Sequence, residues 1–329
     1  MSELTVGDRL DQFVITDVLA RTEMAVVFLA RDTESGGRVC IKAPHLHYES
    51  DVVFHQRFAR EERILRRIDH PRVVRVLEPR QKSRVYTVLE YVEGRTLRAV
   101  MAGRPMPAGQ AVAIAVQIAE TLAHLHASGV VHRDVKPENV IVSDDGEIKL
   151  IDFGIALDRS TRRLTWGRLS HAAGTPDYVP PERIQGARGD QRSDVYSTGL
   201  VLYEMLTGRL PQAGADAQAI MRARTAEEPP PPTIYVPDLD VALGAVVCRA
   251  IARAPSARYR SATDLLTALR DPEAALEREA AAAPVAPRSM AVPAVVIAAV
   301  LAALFSLTWA SRPTPAAPAP APARSGDSR

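Results

Sequence analysis

Two short polar segments constrain most strongly what this chain can fold into. Residues 130–142 read VVHRDVKPENVIV and residues 148–154 read IKLIDFG, so charged and amide side chains stand between apolar runs. Residues 131–181 are expected to be rich in loops that interrupt a mostly helical region. Asn139 follows Asp134 by five positions and Asp152 follows it by eighteen. A lone His-Arg-Asp tripeptide would mean little, so the two segments have to be interpreted together.

These segments resemble the catalytic and metal-binding loops of protein kinases, in particular the eukaryotic-like serine/threonine kinases of bacteria. The resemblance implies that Asp134 accepts or orients the proton of a substrate hydroxyl, and that Lys136 neutralises charge on the phosphoryl group. It implies that Asn139 and Asp152 hold magnesium ions and that ATP is the second substrate. Phosphoryl transfer suits such residues because the protein supplies mainly positioning and charge. Lys136 resembles the Ser/Thr branch rather than the tyrosine branch, which implies protein substrates with Ser or Thr acceptors.

The segment RVCIKA, residues 38–43, resembles the third strand of the kinase small lobe. The resemblance implies that Lys42 contacts the α- and β-phosphates of ATP and pairs with a glutamate of the following helix. Glu61 and Glu62 are both available, and Glu61 fits the family's spacing. We therefore expect Glu61 to contact Lys42, and Glu62 to lie on the solvent face of the helix.

VLEYVEG, residues 88–94, resembles the hinge between the two kinase lobes. The resemblance implies that Leu89 is the gatekeeper, that the backbones of Glu90 and Val92 bond the adenine edge, and that Glu93 approaches the ribose. An ordinary edge strand would look similar. This segment gains its meaning from its place between the lobes.

GTPDYVPPE, residues 174–182, resembles the motif that closes the kinase activation segment, with Pro180 in place of an alanine. The resemblance implies that Thr175 lines the substrate pocket beside Asp134. It also implies that Glu182 pairs with Arg258, and that Asp194 braces the backbone of the catalytic loop, residues 132–139.

Arg133 precedes Asp134, and in kinases of this type such an arginine commonly receives a phosphate from the activation segment. Candidate acceptors are Ser160, Thr161, Thr165 and Ser170. Basic residues surround them at Arg159, Arg162, Arg163 and Arg168. The alternative is a flexible basic loop without a regulatory phosphate.

The nucleotide loop, residues 20–27, lacks the glycines of the family pattern G-x-G-x-x-G-x-V. Ala20, Thr22 and Ala25 stand at the glycine positions, Val27 stands at the valine position, and Leu19 precedes the loop. Glycine serves there by permitting positive φ and close approach of backbone N–H groups to phosphates. Because the polar groups of the other motifs are all present, we expect weaker nucleotide binding rather than none.

Two functions therefore follow from the resemblance. The first is an active kinase that transfers the γ-phosphoryl group of Mg-ATP to Ser or Thr and autophosphorylates. The alternative is a membrane-tethered pseudokinase, a nucleotide-binding docking module, which the glycine-free loop favours and the retained polar residues oppose.

The pattern of apolar residues predicts two lobes of an α+β fold. Short strand-like runs up to residue 51 predict an antiparallel meander, and residues 52–68 predict an amphipathic helix with Phe58, Glu61 and Leu65 near 3.6-residue spacing,. RVVRVLEPR and VYTVLEYV have strand character, and the chain from residue 108 is mostly helical. With the resemblance, this predicts a bilobal protein kinase fold over residues 8–271.

Charge and cysteine content exclude several other classes of function. The 41 basic and 39 acidic residues leave a net charge of +2, which gives no case for nucleic-acid binding,. Cys40 and Cys248 stand far apart without a C-x-x-C motif, which argues against a disulfide framework or a zinc site,.

The carboxy-terminal region has a different composition. We expect an Ala/Pro-rich linker at residues 272–289, a transmembrane helix at residues 290–310 and a disordered Pro/Ala-rich tail at residues 311–329,. The amino terminus has no secretory signal pattern. Because the kinase lobe must meet ATP, we expect a single-pass protein of the inner membrane with its kinase domain in the cytoplasm. Dimerisation through the small lobe is an expectation from the family alone.

Overall fold

The computed structural model describes most of the amino-terminal 282 residues. It describes residues 3–282 apart from residues 23, 49, 50, 155, 159–175, 213 and 215. The predicted membrane span and tail lie outside the described residues. Among the residues that are described, no helix is both long and apolar enough to cross a membrane.

An antiparallel sheet forms the amino-terminal lobe, which confirms the predicted meander. Its strands are β1 (Arg9–Leu10), β2 (Phe13–Arg21), β3 (Ala25–Asp32), β4 (Arg38–Pro44), β5 (Val76–Leu77) and β6 (Thr87–Glu90). Their order across the sheet is β1-β2-β3-β4-β6-β5. Alternate apolar residues such as Phe13, Ile15 and Ile41 are buried in the core of this lobe,.

Helix α1 (Val52–Arg66) confirms the predicted amphipathic helix. Phe58, Ile64 and Leu65 are buried, and Glu61 is buried on the same side at 5% exposure. A buried carboxylate requires a partner. The helix therefore presents Glu61 to the interior of the protein.

Strand β5 is shorter than the predicted strand over RVVRVLEPR. The Val74 N–H donates to the Leu150 carbonyl at 3.0 Å, and the Leu150 N–H donates to the Arg72 carbonyl at 2.8 Å. Residues 72–74 therefore pair with the second lobe, and only Val76–Leu77 joins the small sheet.

Helices and short strands form the second lobe. The helices are α2 (Leu97–Met101), α3 (Ala108–Ala127), α4 (Pro181–Ile184), α5 (Gln191–Thr207), α6 (Ala217–Ala226), α7 (Val241–Ala250), α8 (Ala262–Arg270) and α9 (Pro272–Ala282). The strands are β7 (Arg95–Thr96), β8 (Val130–Val131), β9 (Val140–Val142), β10 (Ile148–Leu150) and β11 (Leu157–Asp158).

Helix α5 lies in the core of the second lobe, and all its residues from Ser193 to Thr207 are buried. Asp190 caps its amino end by accepting from the Arg192 N–H at 2.8 Å,. Gly208, at φ 72°, ends it in the left-handed conformation,. A helix buried on every side needs a core around it, and α3, α7 and α8 supply that core.

The first part of the predicted linker is helical. Residues 272–282 form α9, where alanine and glutamate are strong helix formers,. Asp271 accepts a hydrogen bond from the Ala274 N–H at 3.0 Å, and Ala275 is buried against the second lobe. Composition alone did not reveal this contact.

Candidate active site

Lys42, Glu61 and Asp152 form one charged cluster. Lys42 Nζ lies 2.9 Å from both carboxylate oxygens of Glu61 and 3.0 Å from Oδ1 of Asp152. The Phe153 N–H donates to Glu61 Oε1 at 3.2 Å. The Gly154 N–H donates to Asp152 Oδ1 at 3.1 Å. The structure thus brings together a strand, a helix and a loop residue that lie far apart in the sequence.

Glu62 lies on a different face of α1. Its carboxylate contacts Lys82 at 3.1 Å and also Arg66. Glu61 is therefore the glutamate that contacts Lys42, and Glu62 belongs to a more exposed ion-pair network.

Lys42 and Asp152 stabilise each other's charge, whereas burial and the charge of Asp152 raise the pKa of Glu61 although Lys42 opposes them. Burial alone would lower the pKa of Lys42, but the charges of Asp152 and Glu61 outweigh burial and raise it,. Burial likewise opposes the charged form of Asp152, yet Lys42 holds its pKa below the ordinary range. Lys42 and Asp152 therefore remain charged at neutral pH, which suits contact with phosphate and with a metal ion.

The catalytic loop brings Asp134, Lys136 and Asn139 together. Lys136 Nζ lies 2.8 Å from Asp134 Oδ2. The Asn139 amide nitrogen donates to the same oxygen at 2.9 Å and to the Asp134 carbonyl at 2.8 Å. The Asp134 and Lys136 side chains remain 27% and 28% exposed. A substrate hydroxyl can therefore reach the carboxylate.

Asp194, fully buried in α5, holds the backbone of this loop. Its Oδ2 accepts from the His132 N–H at 2.9 Å, and its Oδ1 accepts from the Arg133 N–H at 2.7 Å. His126 Nε2 lies 2.8 Å from Oδ2. Burial alone would raise the pKa of Asp194, but these partners lower it. Arg133, at φ 70°, adopts a backbone conformation that is rare for a side-chain-bearing residue, and these two hydrogen bonds flank and stabilise it.

Asn139 and Asp152 are suited to holding magnesium. Their segments are adjacent, because the Ile151 N–H donates to the Asn139 carbonyl at 2.9 Å. The hydrogen bonds of Asp152 use Oδ1, and those of the Asn139 side chain use its amide nitrogen. A carboxylate oxygen and an amide oxygen remain, and Mg²⁺ prefers such oxygen ligands.

The nucleotide loop shows no backbone strain at the three positions where the family pattern has glycine. The described side-chain-bearing residues with positive φ are Asp11, Ala102, Arg133 and Asp152. Ala20, Thr22 and Ala25 are not among them, so their Cβ atoms cause none of the strain that a left-handed backbone conformation would bring. Leu19 lies at a register shift of β2 and is 45% exposed. Val27 lies opposite Lys42 in the pairing of β3 with β4.

The charged side chains of the hinge region form ion pairs with other residues of the protein. Leu89 is buried and Val92 packs against the main core. Glu90 accepts from Lys149 at 2.6 Å and from Arg75 at 3.1 Å. Glu93 pairs with Arg38. The Glu90 side chain thus has a structural role, and its backbone N–H donates to the Arg75 carbonyl at 2.9 Å, so its carbonyl is the candidate for adenine.

Glu182 and Arg258 form a buried, two-pronged ion pair. The two oxygens of Glu182 accept from Arg258 at 3.0 and 2.8 Å, and the Ser193 hydroxyl donates to Glu182 at 2.7 Å. The Arg258 guanidinium also covers the Tyr196 ring at 4.5 Å. This network anchors α4 to α5 and to the segment before α8.

Arg98 is a residue that the sequence analysis missed. From α2 it donates to Glu138 of the catalytic loop and to Glu204 of α5, each at 2.7 Å. It also contacts the hydroxyl of Tyr178, which in turn contacts Glu204. No spacing rule points to this set, because its members come from four separate segments.

The candidate phosphate acceptors, their neighbouring arginines and Thr175 lie outside the described residues. Arg133 itself is described, and its carbonyl accepts from the Arg183 guanidinium. Burial and the charge of Arg183 lower the pKa of Arg133 to about 9, although Asp194 opposes them. The region around Arg133 is therefore rich in positive charge.

Comparisons with known proteins agree with this geometry. Residues 13–267 match the family described as protein kinase domain. A probable serine/threonine-protein kinase of Streptomyces coelicolor is 34% identical over 286 residues, which are 85% of this chain and 42% of that protein. The serine/threonine-protein kinase PrkC of Bacillus subtilis is 34% identical over 265 residues, 80% of this chain and 41% of PrkC. PknB of Mycobacterium leprae is 36% identical over 262 residues, 78% of this chain and 42% of PknB.

The chain spans about two fifths of the length of these curated relatives. Among solved structures, the PknI kinase domain of Mycobacterium tuberculosis is 27% identical, with a TM-score of 0.64 over 82% of this chain and 100% of that domain. This similarity confirms the bilobal fold with a small sheet-containing lobe and a larger helical lobe. The bacterial relatives named above are serine/threonine-protein kinases, and the chain belongs to the protein kinase family.

Proposed function

We propose that this protein transfers the γ-phosphoryl group of Mg-ATP to serine or threonine of protein substrates. The carrying observation is the pair of polar clusters in which Lys42 contacts Glu61 and Asp152 while Asp134 contacts Lys136 and Asn139. These contacts supply cations for phosphate, oxygen ligands for a metal and a carboxylate for the acceptor hydroxyl. The pseudokinase alternative gains no support from the comparisons, since the named relatives are kinases.

The side chains divide the work of the reaction. Asp134 orients the acceptor hydroxyl and takes its proton, while Lys136 places a positive charge beside the transferring group. Lys42 holds the α- and β-phosphates, and Glu61 fixes its position. Asn139 and Asp152 would hold Mg²⁺, which when bound offsets negative charge on the phosphates. The backbones of Glu90 and Val92 bind adenine.

Autophosphorylation of the activation segment follows from the charge around Arg133. A buried arginine whose pKa is lowered by burial and by Arg183 gains stability when an anion neutralises the region,. Ser160, Thr161, Thr165 and Ser170 are the acceptors that we expect to provide this phosphate.

Membrane attachment is part of the same proposal. The 21 residues 290–310 contain no charged side chain and are long enough to cross a bilayer as a helix,. The kinase domain would then lie in the cytoplasm of a single-pass inner-membrane protein. A homodimer through the small lobe fits this arrangement, because tethering raises the local concentration of a second copy.

The test is phosphorylation by the full-length chain, purified in detergent, with Mg-ATP and a protein substrate. We expect phosphate on Ser or Thr, identified by mass spectrometry, in the wild type but not in Asp134→Asn. Asp144→Asn is the matched control, because Asp144 lies on an exposed turn. Equal phosphate incorporation in wild type and Asp134→Asn would contradict the proposal.

A further inference from the structure

A side chain closes the turn between β2 and β3. In a tight turn the carbonyl of the first residue commonly accepts a hydrogen bond from the N–H of the fourth. Here the Ala25 N–H donates to the Thr22 hydroxyl at 3.0 Å, and this hydroxyl donates to the Ala25 carbonyl at 2.9 Å. The Thr22 N–H donates to the same carbonyl at 2.9 Å. One threonine therefore fastens both sides of the turn.

His45, just after β4, contacts the Thr22 carbonyl, which takes no part in the hydrogen bonds described above. Its Nε2 lies 2.9 Å from the Thr22 carbonyl, and because a carbonyl only accepts, Nε2 carries the proton,. The His45 N–H donates to the Met24 carbonyl at 3.2 Å. The ring also stacks on His47, with centroids 5.7 Å apart. His45 is thus held in place while it holds the loop.

Ala25 connects this turn to helix α1. Ala25 and Phe58 form a small buried cluster, with exposures of 1% and 5%. Phe58 lies one helical turn before Glu61, the partner of Lys42,. The methyl group at the third glycine position therefore packs against the helix that positions Glu61, and glycine would remove this contact.

We propose that Thr22 and His45 are positioning residues that replace the missing glycines by fastening the nucleotide loop over ATP. We call these contacts of Thr22 and His45 the hairpin clasp. The inference rests on the proposed use of ATP at this site. The hairpin clasp keeps the loop in the hairpin conformation from which β2 and β3 cover the nucleotide. Glycine at position 22 would therefore loosen the loop and would not improve ATP binding.

Steady-state kinetics of the full-length chain test this role. Thr22→Val, Thr22→Gly and His45→Ala should each raise KM for ATP by about three- to tenfold, the range expected for one lost neutral hydrogen bond. The kcat and the KM for casein should stay within about twofold of wild type, since the catalytic loop is untouched. Thr22→Ser and His45→Gln keep the hydrogen-bonding groups and should restore the wild-type KM. Thr16→Val is the matched control, because the Thr16 hydroxyl donates to the Leu29 carbonyl at 3.2 Å on the same hairpin but away from the turn.

Amide exchange without nucleotide separates this inference from the proposed function. The Ala25 N–H should exchange slowly in wild type, Thr22→Ser and Thr16→Val, and quickly in Thr22→Val and Thr22→Gly. Fast exchange in wild type, or a lower KM for ATP in Thr22→Gly, would overturn the hairpin clasp. A wild type that transfers no phosphoryl group but binds ATP, with slow Ala25 exchange that Thr22→Val abolishes and ATP binding that Thr22→Val weakens, would overturn the proposed function and support the hairpin clasp.

Discussion

The nucleotide loop and the catalytic loop keep their conformations by different means. In the catalytic loop, the buried carboxylate of Asp194 accepts from two consecutive backbone N–H groups. In the nucleotide loop, the neutral Thr22 hydroxyl and the His45 ring hold a more exposed turn. The catalytic loop retains every polar position of the kinase pattern, whereas the nucleotide loop retains none of its glycines.

This difference shows which part of a kinase site tolerates substitution. In the proposed function Asp134, Lys136 and Asn139 supply charge and metal ligands, which few other residue types can replace. The nucleotide loop requires a particular backbone conformation, and several types of side chain can stabilise it. The energies differ accordingly, because a hydrogen bond to a charged group contributes about 1.5–3 kcal/mol, whereas one between neutral groups contributes about 0.5–1.5 kcal/mol.

Apart from the loss of Asp134, the largest expected effect is at Lys42. Lys42→Met removes the cation of the charged cluster and should lower kcat/KM by about 10²–10³, the cost of one electrostatic group in a transition state. It should also lower the unfolding temperature, because Glu61 then remains buried without its partner. We expect Lys42→Met/Glu61→Gln to recover stability but not activity. Recovery of activity in the double variant would show that the charge of Lys42 is dispensable.

Asp194→Asn should damage the catalytic loop through its backbone. The amide keeps one accepting oxygen, but its nitrogen faces a backbone N–H that then stays unpaired, and we expect the free energy of unfolding to fall by about 3 kcal/mol. Urea unfolding measures this change. Asp190→Asn is the control on the same helix, since asparagine also caps a helix amino end. Equal stability of Asp194→Asn and Asp190→Asn would contradict the claim that a buried carboxylate holds the catalytic loop.

Restoring glycines should bring no gain. Ala20→Gly/Ala25→Gly should lower the free energy of unfolding by about 1–2 kcal/mol, because glycine loses more conformational entropy on folding than alanine. The KM for ATP should not fall, because neither alanine adopts a positive φ. A clearly lower KM would instead mean that the Cβ atoms obstruct the phosphates.

The smallest effect concerns pH and Glu182. Burial would raise its pKa, but Arg258 and Ser193 hold it below the ordinary value. The stability from this pair is therefore complete above the unfolded pKa, about 4.3, and is lost as pH falls toward the lower folded pKa. Between pH 5.5 and 3.5, urea unfolding should show a steeper loss of stability in wild type than in Glu182→Gln. Parallel curves would exclude this contribution, and the exposed Glu227→Gln should follow wild type.

Sequence reasoning succeeded where motifs fix both residue type and spacing. The two-lobe fold and the helix that carries Glu61 follow from periodicity and from the kinase pattern. The contact between His45 and the Thr22 carbonyl could not be predicted, because it joins residues 23 positions apart through the pairing of β3 with β4. The Arg98 network and the helical start of the linker also depend on tertiary packing. Neither leaves a local pattern in the sequence.

The most direct test compares Asp134→Asn and Thr22→Gly with the full-length wild type in one assay of phosphoryl transfer from Mg-ATP to casein. The account predicts that Asp134→Asn loses kcat by about 10²–10⁴, as expected for a general base, while its ATP affinity stays near wild type. It predicts that Thr22→Gly keeps kcat but has a severalfold higher KM for ATP. A Thr22→Gly enzyme with a lower KM, or an Asp134→Asn enzyme with wild-type kcat, would contradict it.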